Sequence, residues 1–415
     1  MAVDPFTYQP KGDKKNSEFF ETYKVKIYER RKSSGLEDLL GNLRALVVQV
    51  EHGDAFSYLR ELYLMGPYRF AAAYQSETHR IFVLQSHPDY PRFIVLEPLS
   101  ADYMDEITMK NRLYPLSAAK ANARYVGEIF ETKDSTETRS ILESHNIRFN
   151  YHHETKNAFF TDAKIVFSFP SDYTSNRVGY TDTDIADYDS LQLGEPLEIP
   201  AEEQSKLDAI EEFAKQHKLD QLLLGVDHMA TRILAGERED AICEFLTMSN
   251  YYFWGAYNIV DMNSSTNVTR NGAVDDDKQS PAKVFTANNI PSFVNSFENK
   301  PMPTEDFVRN FGRRMHHIAY EVRDGDHRGG EKNVDYVVDT VKNEGVEFLA
   351  HVVGECKDDP DLKQIFSKHS AYSILITEYV ERCHAFEGFF TKTNVAALTE
   401  AAGQDERYQH GKVFD

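Results

Sequence analysis

Cysteine is scarce in this chain: three residues in 415, Cys243, Cys356 and Cys383, far apart and odd in number. Such a set offers neither a disulfide framework nor a zinc spacing, and it suits a reducing cytosol. Long apolar runs are missing as well. No stretch approaches the roughly eighteen apolar residues that a spanning helix needs, so a membrane protein is not expected. The opening residues, MAVDPFTYQPKGDKK, carry no apolar core of a secretory signal, and a cytoplasmic protein is the expectation. Basic charge is in deficit: 46 Lys and Arg stand against 67 Asp and Glu, a net charge of −21, which argues against nucleic acid and anionic membrane surfaces as partners. With 41% hydrophobic and 27% charged residues, the composition is that of a globular chain long enough for two domains, or for four small modules in two pairs.

The periodicity favours the four modules. Residues 1–40 are polar and read as an N-terminal arm. From Leu43 the order strand, helix, three strands occurs: LRALVVQV, then a helix over Ala55–Met65, then strands at Tyr68–Tyr74, Arg80–Gln85 and Arg92–Leu96. A second pass opens with ARYVGEIFE at Ala123. Its helix starts at Asp134, with Glu137 three residues on as in a capping box. Its strands are expected at Asn146–Tyr151, Ala158–Phe160 and Lys164–Phe169. Leu191–Gln204, with its prolines and glutamates, reads as a linker, followed by a helix over Ser205–His217.

The third pass opens at Gln221–Ile233 and continues with a helix over Glu239–Asn250. Strands follow at Ala256–Asp261 and Ala282–Ala287 around a polar loop, and Ser292–Phe297 is the expected closing strand. The fourth opens with MHHIAYEV at Met315, and Val334, Val337, Val338 and Val341 mark its helix. Strands at Val346–Val353, Leu362–Phe366 and Ile374–Val380 complete it. The predicted fold is α+β: two pseudo-symmetric halves, 41–200 and 201–415, each of paired βαβββ units forming a curved sheet around a cavity.

The third and fourth units open with matching words, Asp227-His228-Met229-Ala230 and His316-His317-Ile318-Ala319. The repeat selects His228 and His317 as equivalent, and strand alternation then predicts that His316 faces away. The first two units have no histidine there. Glu378 lies in the apolar strand SILITEYV, where a lone carboxylate is costly without a compensating cation. Two histidines and a carboxylate from three strands form a facial triad that leaves coordination positions open on ferrous iron. The closing strands of the last two units, laid together, also set Glu298 against Glu378.

Residues HIA at His317, LKQIFSK at Leu362, Glu378 with the following YVER, and GFFTKTNVAAL from Gly388 resemble the 4-hydroxyphenylpyruvate dioxygenase family of the vicinal oxygen chelate superfamily. The order of units is similar over roughly residues 40–400. The resemblance implies an iron(II) enzyme in which His228, His317 and Glu378 hold the metal and an aromatic 2-oxo acid chelates it beside dioxygen. Decarboxylation, ring hydroxylation and side-chain migration would give homogentisate, as in tyrosine catabolism. It also implies Gln364 as a pocket amide, Phe366 as a stacking wall, Asn394 as a pocket residue on a closing lid helix over Gly388–Ala402, and a homo-oligomer. The chain departs from that pattern at Val395, Ala282 and Glu298, positions that touch substrate groups. Benzylic hydroxylation, another 2-oxo acid, a metal-dependent lyase or isomerase, and a metal-free binding module remain open alternatives.

Overall fold

The computed structural model describes residues 3–150, 164–272, 281–292, 300–357, 359–386 and 388–403. Among the described residues, sixteen strands form two eight-stranded sheets. In chain order they are β1 (Lys11–Gly12), β2 (Leu40–Gln49), β3 (Arg69–Gln75), β4 (His79–Gln85), β5 (Arg92–Pro98), β6 (Arg124–Thr132), β7 (Val166–Phe167), β8 (Arg177–Thr181), β9 (Glu195–Pro196), β10 (Leu223–Arg232), β11 (Tyr251–Ile259), β12 (Ser264–Asn271), β13 (Ala282–Asn288), β14 (Arg314–Val322), β15 (Asp361–Phe366) and β16 (Ile376–Cys383). The first sheet runs β7-β8-β6-β2-β5-β4-β3-β9 and the second β1-β11-β12-β13-β10-β14-β16-β15.

The same pattern builds both. Two opening strands pair antiparallel at the centre, β2 with β6 and β10 with β14. Each closing strand then lies parallel to its own opener: β5 on β2, β8 on β6, β13 on β10, β16 on β14. Two βαβββ units per sheet, back to back, are the α+β architecture expected from the repeat. Helix Ala55–Met65 forms over the expected residues and buries Leu59, Leu62 and Tyr63 on one face. Asp134 caps the 135–144 helix, its carboxylate accepting from the backbone N–H groups of Thr136 and Glu137. The main core includes Leu46, Val48 and Phe93 of the first sheet together with Val226, Met229 and Phe285 of the second.

Several expectations are corrected. The third unit closes with β13, not with Ser292–Phe297: Ser292 is helical, and residues 293–299 lie outside the described set. The supposed polar loop contains β12, whose SSTNVTRN is buried on nearly every residue and so lacks the alternation of a half-exposed strand. In the second unit the closing strand is β8, while the Ala158–Phe160 strand falls outside the described residues. Val346–Val353 contributes single bridges from Phe348 and Val353 rather than a strand. The 201–216 helix begins inside the expected linker. Cys356 and Cys383, read as unpaired, form a disulfide with Cα atoms 5.6 Å apart. The antiparallel β15–β16 ladder sets Cys383 opposite Asp361, so chain positions 27 apart become neighbours.

Candidate metal centre

Three strands of the second sheet meet at the triad. The β10–β14 ladder pairs His228 with Ala319 and Ala230 with His317. The β14–β16 ladder pairs Ala319 with Glu378. His228, Ala319 and Glu378 therefore form one rung, and His317 lies two residues along, on the next rung of the same face. The side chains converge in a near-equilateral triangle: His228 Nε2 to His317 Nε2 3.2 Å, His228 Nε2 to Glu378 Oε2 3.1 Å, and His317 Nε2 to Glu378 Oε2 3.2 Å. All three residues are buried.

These donors fit a metal ion. Apart from the ring nitrogens of His228 and His317, no donor among the described residues reaches either Glu378 oxygen, although the carboxylate is fully enclosed. A buried carboxylate without a donor is costly, and a cation between the three atoms removes that cost. Donor separations of 3.1–3.2 Å suit one ion held at roughly 2.0–2.2 Å by each ligand. Two imidazoles and one carboxylate on one side also match the facial set of non-haem iron(II).

Protonation tells the same story. Burial opposes a charge on His228, but Glu378 and Asp227 outweigh it and carry its pKa up to about 9. At His317 burial wins, reinforced by His228 and Arg232, and the ring is held neutral. Burial also raises Glu378. Without a metal, the triangle thus gathers a proton at His228 beside the carboxylate.

Both histidines are oriented by the residue before them, and a β-bulge puts it there. The register skips Asp227 between Val226 and His228 on β10, and skips His316 between Met315 and His317 on β14. Each bulge brings the extra side chain beside its histidine. His228 Nδ1 donates to Asp227 Oδ1 at 2.6 Å, which leaves Nε2 as the inward lone pair. His316 Nδ1 and His317 Nδ1 are 2.8 Å apart, so one donates to the other. The expectation that His316 faces away fails for this reason: alternation breaks at the bulge, and His316 lines the same cavity as His317.

Arg382 completes the support. Its Nε and Nη2 donate to Asp227 Oδ2 and Oδ1 at 3.0 and 2.8 Å, and its Nη1 donates to the Phe389 carbonyl at 2.8 Å. The guanidinium and His228 overcome the effect of burial and hold Asp227 well below the usual carboxylate range. One arginine thus joins the carboxylate behind His228 to the segment leading into the 392–403 helix. Phe389 and Phe390 in that segment pack edgewise on the His228 ring, at 5.5 and 5.1 Å between centroids.

Gln364 lines the cavity with both amide atoms buried and without a partner, and the Phe366 ring lies 4.8 Å from that of His317. Asn394 is placed differently. Its Nδ2 donates to the Leu362 carbonyl at 2.6 Å, so it ties the 392–403 helix to β15 and does not line the cavity. Ala282 pairs with His228. Glu298 lies outside the described residues, and its alignment with Glu378 is overturned: with β13 as the closing strand, the position equivalent to Glu378 is Val284.

Among the described residues, the first sheet has no such centre. Its ladders make Ala45, Gly127 and Gly179 the equivalents of His228, His317 and Glu378. A Cβ on Gly127 would lie 1.9 Å from the Arg177 carbonyl oxygen, and one on Gly179 would lie 2.6 Å from the Phe167 ring. Apolar side chains, among them Val47, Ile94, Ile129 and Phe167, fill that concave face. A larger cavity of about 230 Å³ sits elsewhere, beside the buried Glu128–Lys283 pair, and none of the triad lines it.

No protein-family model matches the chain. No curated protein matches it either. Among solved structures, it is similar to a mutant of 4-hydroxymandelate synthase from Streptomyces coelicolor, at 14% identity and a TM-score of 0.58, over 88% of this chain and 98% of that one. It is also similar to a xylose isomerase-like TIM barrel/4-hydroxyphenylpyruvate dioxygenase fusion protein, at 11% identity and a TM-score of 0.55, over 88% of this chain and 53% of that one. At these identities the likeness is one of architecture: the paired βαβββ units that build each of the two curved sheets.

Proposed function

We propose that the chain is an iron(II)-dependent dioxygenase of 2-oxo acids, with His228, His317 and Glu378 as the metal ligands. The observation that carries this reading is the triangle itself: two imidazole nitrogens and a buried carboxylate oxygen, 3.1–3.2 Å apart, on one face of the cavity. Three protein donors on one side would hold the ion and leave its remaining positions to the substrate. A bound iron(II) would supply oxygen activation coupled to oxidative decarboxylation of the oxo acid. The two solved structures named above support the choice of reaction class, since both bear the names of enzymes of this chemistry.

The chain's own residues do the rest. Asp227 keeps the His228 proton on Nδ1, so that Nε2 stays a ligand. Gln364 offers a donor and an acceptor to the substrate from within the cavity. Phe366, Phe390, Val395 and Leu398 form the apolar part of the wall and exclude water. The cavity is narrow, about 50 Å³, and the 392–403 helix covers it with Val395, Leu398 and Thr399, so that helix is the lid that moves when substrate enters. 4-Hydroxyphenylpyruvate, giving homogentisate, is the first substrate to assay, on the resemblance of the words at His317, Leu362 and Glu378.

The test is oxygen uptake by the iron(II)-loaded protein against a set of 2-oxo acids, with carbon dioxide measured in parallel. Uptake matched by carbon dioxide supports the reading. An iron-loaded protein that consumes no oxygen with any 2-oxo acid contradicts it. A lyase or isomerase would turn over substrate without oxygen, and a metal-free binding protein would not retain iron.

A further inference from the structure

The larger cavity, of about 230 Å³, lies on the other face of the metal sheet. Strand alternation divides β13 between the two: Val284 and Thr286 line the metal cavity, whereas Lys283 and Phe285 line the larger one. The opposite wall comes from the first half of the chain, with Glu128 of β6, Val178 of β8 and the 168–174 segment. A cavity between two halves is a common place for a small-molecule site.

Its polar groups are unevenly matched. Three carboxylates line it, Glu128, Asp172 and Glu244, against two cations, Arg148 and Lys283. Glu128 pairs with Lys283, both buried, and Asp172 pairs with Arg148 at 3.5 Å. Glu244, on the 238–248 helix, is the carboxylate left over. The Ser171 hydroxyl is its hydrogen-bond donor, and Arg148 acts on it through charge alone. Burial is the largest influence on Glu244 and raises its pKa, an effect that a cation in the cavity would reverse. Asn176 gives a second, independent sign. It is 5% exposed, its Nδ2 donates to Thr231 Oγ1 at 3.4 Å, and its Oδ1 is enclosed without a partner. A buried amide oxygen without a donor is costly. One turn brings the two acceptors together: Ser171, the donor to Glu244, gives its backbone N–H to the Asn176 carbonyl at 2.9 Å.

We infer that this cavity is a second binding site, separate from the metal centre, for a primary amine with an apolar body, whose ammonium group donates to Glu244 and to Asn176 Oδ1. An ammonium has three donors and one positive charge, so a single group serves both acceptors and matches the left-over carboxylate. The body of the ligand meets Val178, Phe245 and Met248. The space is about half as much again as the roughly 150 Å³ that holds a benzene, enough for a ring and a short chain. An anion fits worse, because Lys283 and Arg148 are already paired and Glu244 repels it. The inference is independent of the proposed reaction, since none of the triad lines this cavity.

The experiment is a calorimetric titration of the iron(II)-loaded full chain under argon. The probes are 2-phenylethylamine, 2-phenylethanol as its neutral counterpart, and 3-phenylpropanoate as the anion. The amine is expected to bind at one site per chain, about tenfold or more tightly than the alcohol, and the acid more weakly than either. Glu244→Gln should reduce the ratio of amine to alcohol affinity about ten- to a hundredfold, the worth of a charge-assisted hydrogen bond. Glu378→Ala, which alters the metal centre, should leave amine binding as it is. Should Glu244→Gln fail to fold, the Met248 methyl signal reports the site in the unaltered chain: in methionine-labelled protein, with that signal assigned by Met248→Leu, the amine should shift it in step with the heat released. No binding of the amine, equal affinity for amine and alcohol, an unchanged ratio in Glu244→Gln, loss of binding in Glu378→Ala, or an unmoved Met248 signal overturns the inference.

Discussion

Asp227→Asn tests the support behind the metal centre. Asparagine keeps the volume and one acceptor for His228 Nδ1, but it turns an amide N–H₂ toward a guanidinium that now donates twice to the carboxylate. Two effects follow and can be read apart. Breaking one side of a buried ion pair costs up to about 3–5 kcal/mol, and the isosteric change with an acceptor kept places this case at about 2–3 kcal/mol. It should appear as a lower denaturant midpoint with an unchanged slope. Second, the amide orients the ring less firmly and no longer offsets the charge behind it. Outer-sphere changes of this kind cost about ten- to a hundredfold in metal affinity. Equilibrium dialysis of iron(II) against a competing chelator measures that loss directly. Arg382→Met separates the two: it breaks the same ion pair but leaves the Asp227–His228 bond, so it should cost similar stability and less metal affinity. If Asp227→Asn binds iron within about twofold of the parent while losing stability, Asp227 is a structural residue and the orienting role is wrong.

Two further outcomes follow from groups remote from the cavity. Burial, against a hydrogen bond from Ser370, raises Glu61 from its ordinary 4.5 to about 7, so the native state holds that proton to higher pH than the unfolded chain. The stability it contributes is present below about pH 4.5 and is lost as pH rises to 7, by no more than about 3 kcal/mol. Glu61→Gln should therefore match the parent near pH 5 and unfold at higher denaturant near pH 8; equal midpoints at both would refute the assignment. The Cys356–Cys383 bond closes a loop of 27 residues, for which chain entropy gives about 3.5 kcal/mol, so Cys356→Ser with Cys383→Ser should lower unfolding free energy by that order and reduction of the parent should do the same.

Much of the fold was legible because burial leaves periodic traces. The 55–65 and 333–343 helices bury Leu59, Leu62 and Val334, Val337, Val341 at helical spacing. The strands around the triad are apolar enough to stand out. The misreadings share a cause: side chains whose polarity is satisfied inside the fold. Ser264–Asn271 looks like a loop, yet Thr269 donates to the Lys283 carbonyl and Asn267 to that of Phe285. Arg177–Thr181 is short and carries an arginine and a glycine, yet it is buried throughout, because Arg177 pairs with Glu106 and donates to the Ser168 carbonyl. The matching words Asp227–Ala230 and His316–Ala319 point to His228 and His317, and a lone carboxylate inside an apolar strand points to Glu378. The bulges did not show, because a residue inserted in a ladder is defined by its partner strand and not by its own sequence. Nothing in the motif marks a role for Asp227, since the Arg382 that gives it one lies 155 residues away in the chain.

The central claim is that the triad binds iron(II) and that the bound metal consumes oxygen with a 2-oxo acid. The most direct measurement is oxygen uptake and release of carbon dioxide from the C1 carboxyl, made together on the iron(II)-loaded parent and on Glu378→Ala. The account predicts one carbon dioxide per dioxygen in the parent, and neither tightly held iron nor uptake in the variant. Parent protein that holds iron through His228 and His317 yet takes up no oxygen with any 2-oxo acid, or a Glu378→Ala variant as active as the parent, would contradict it.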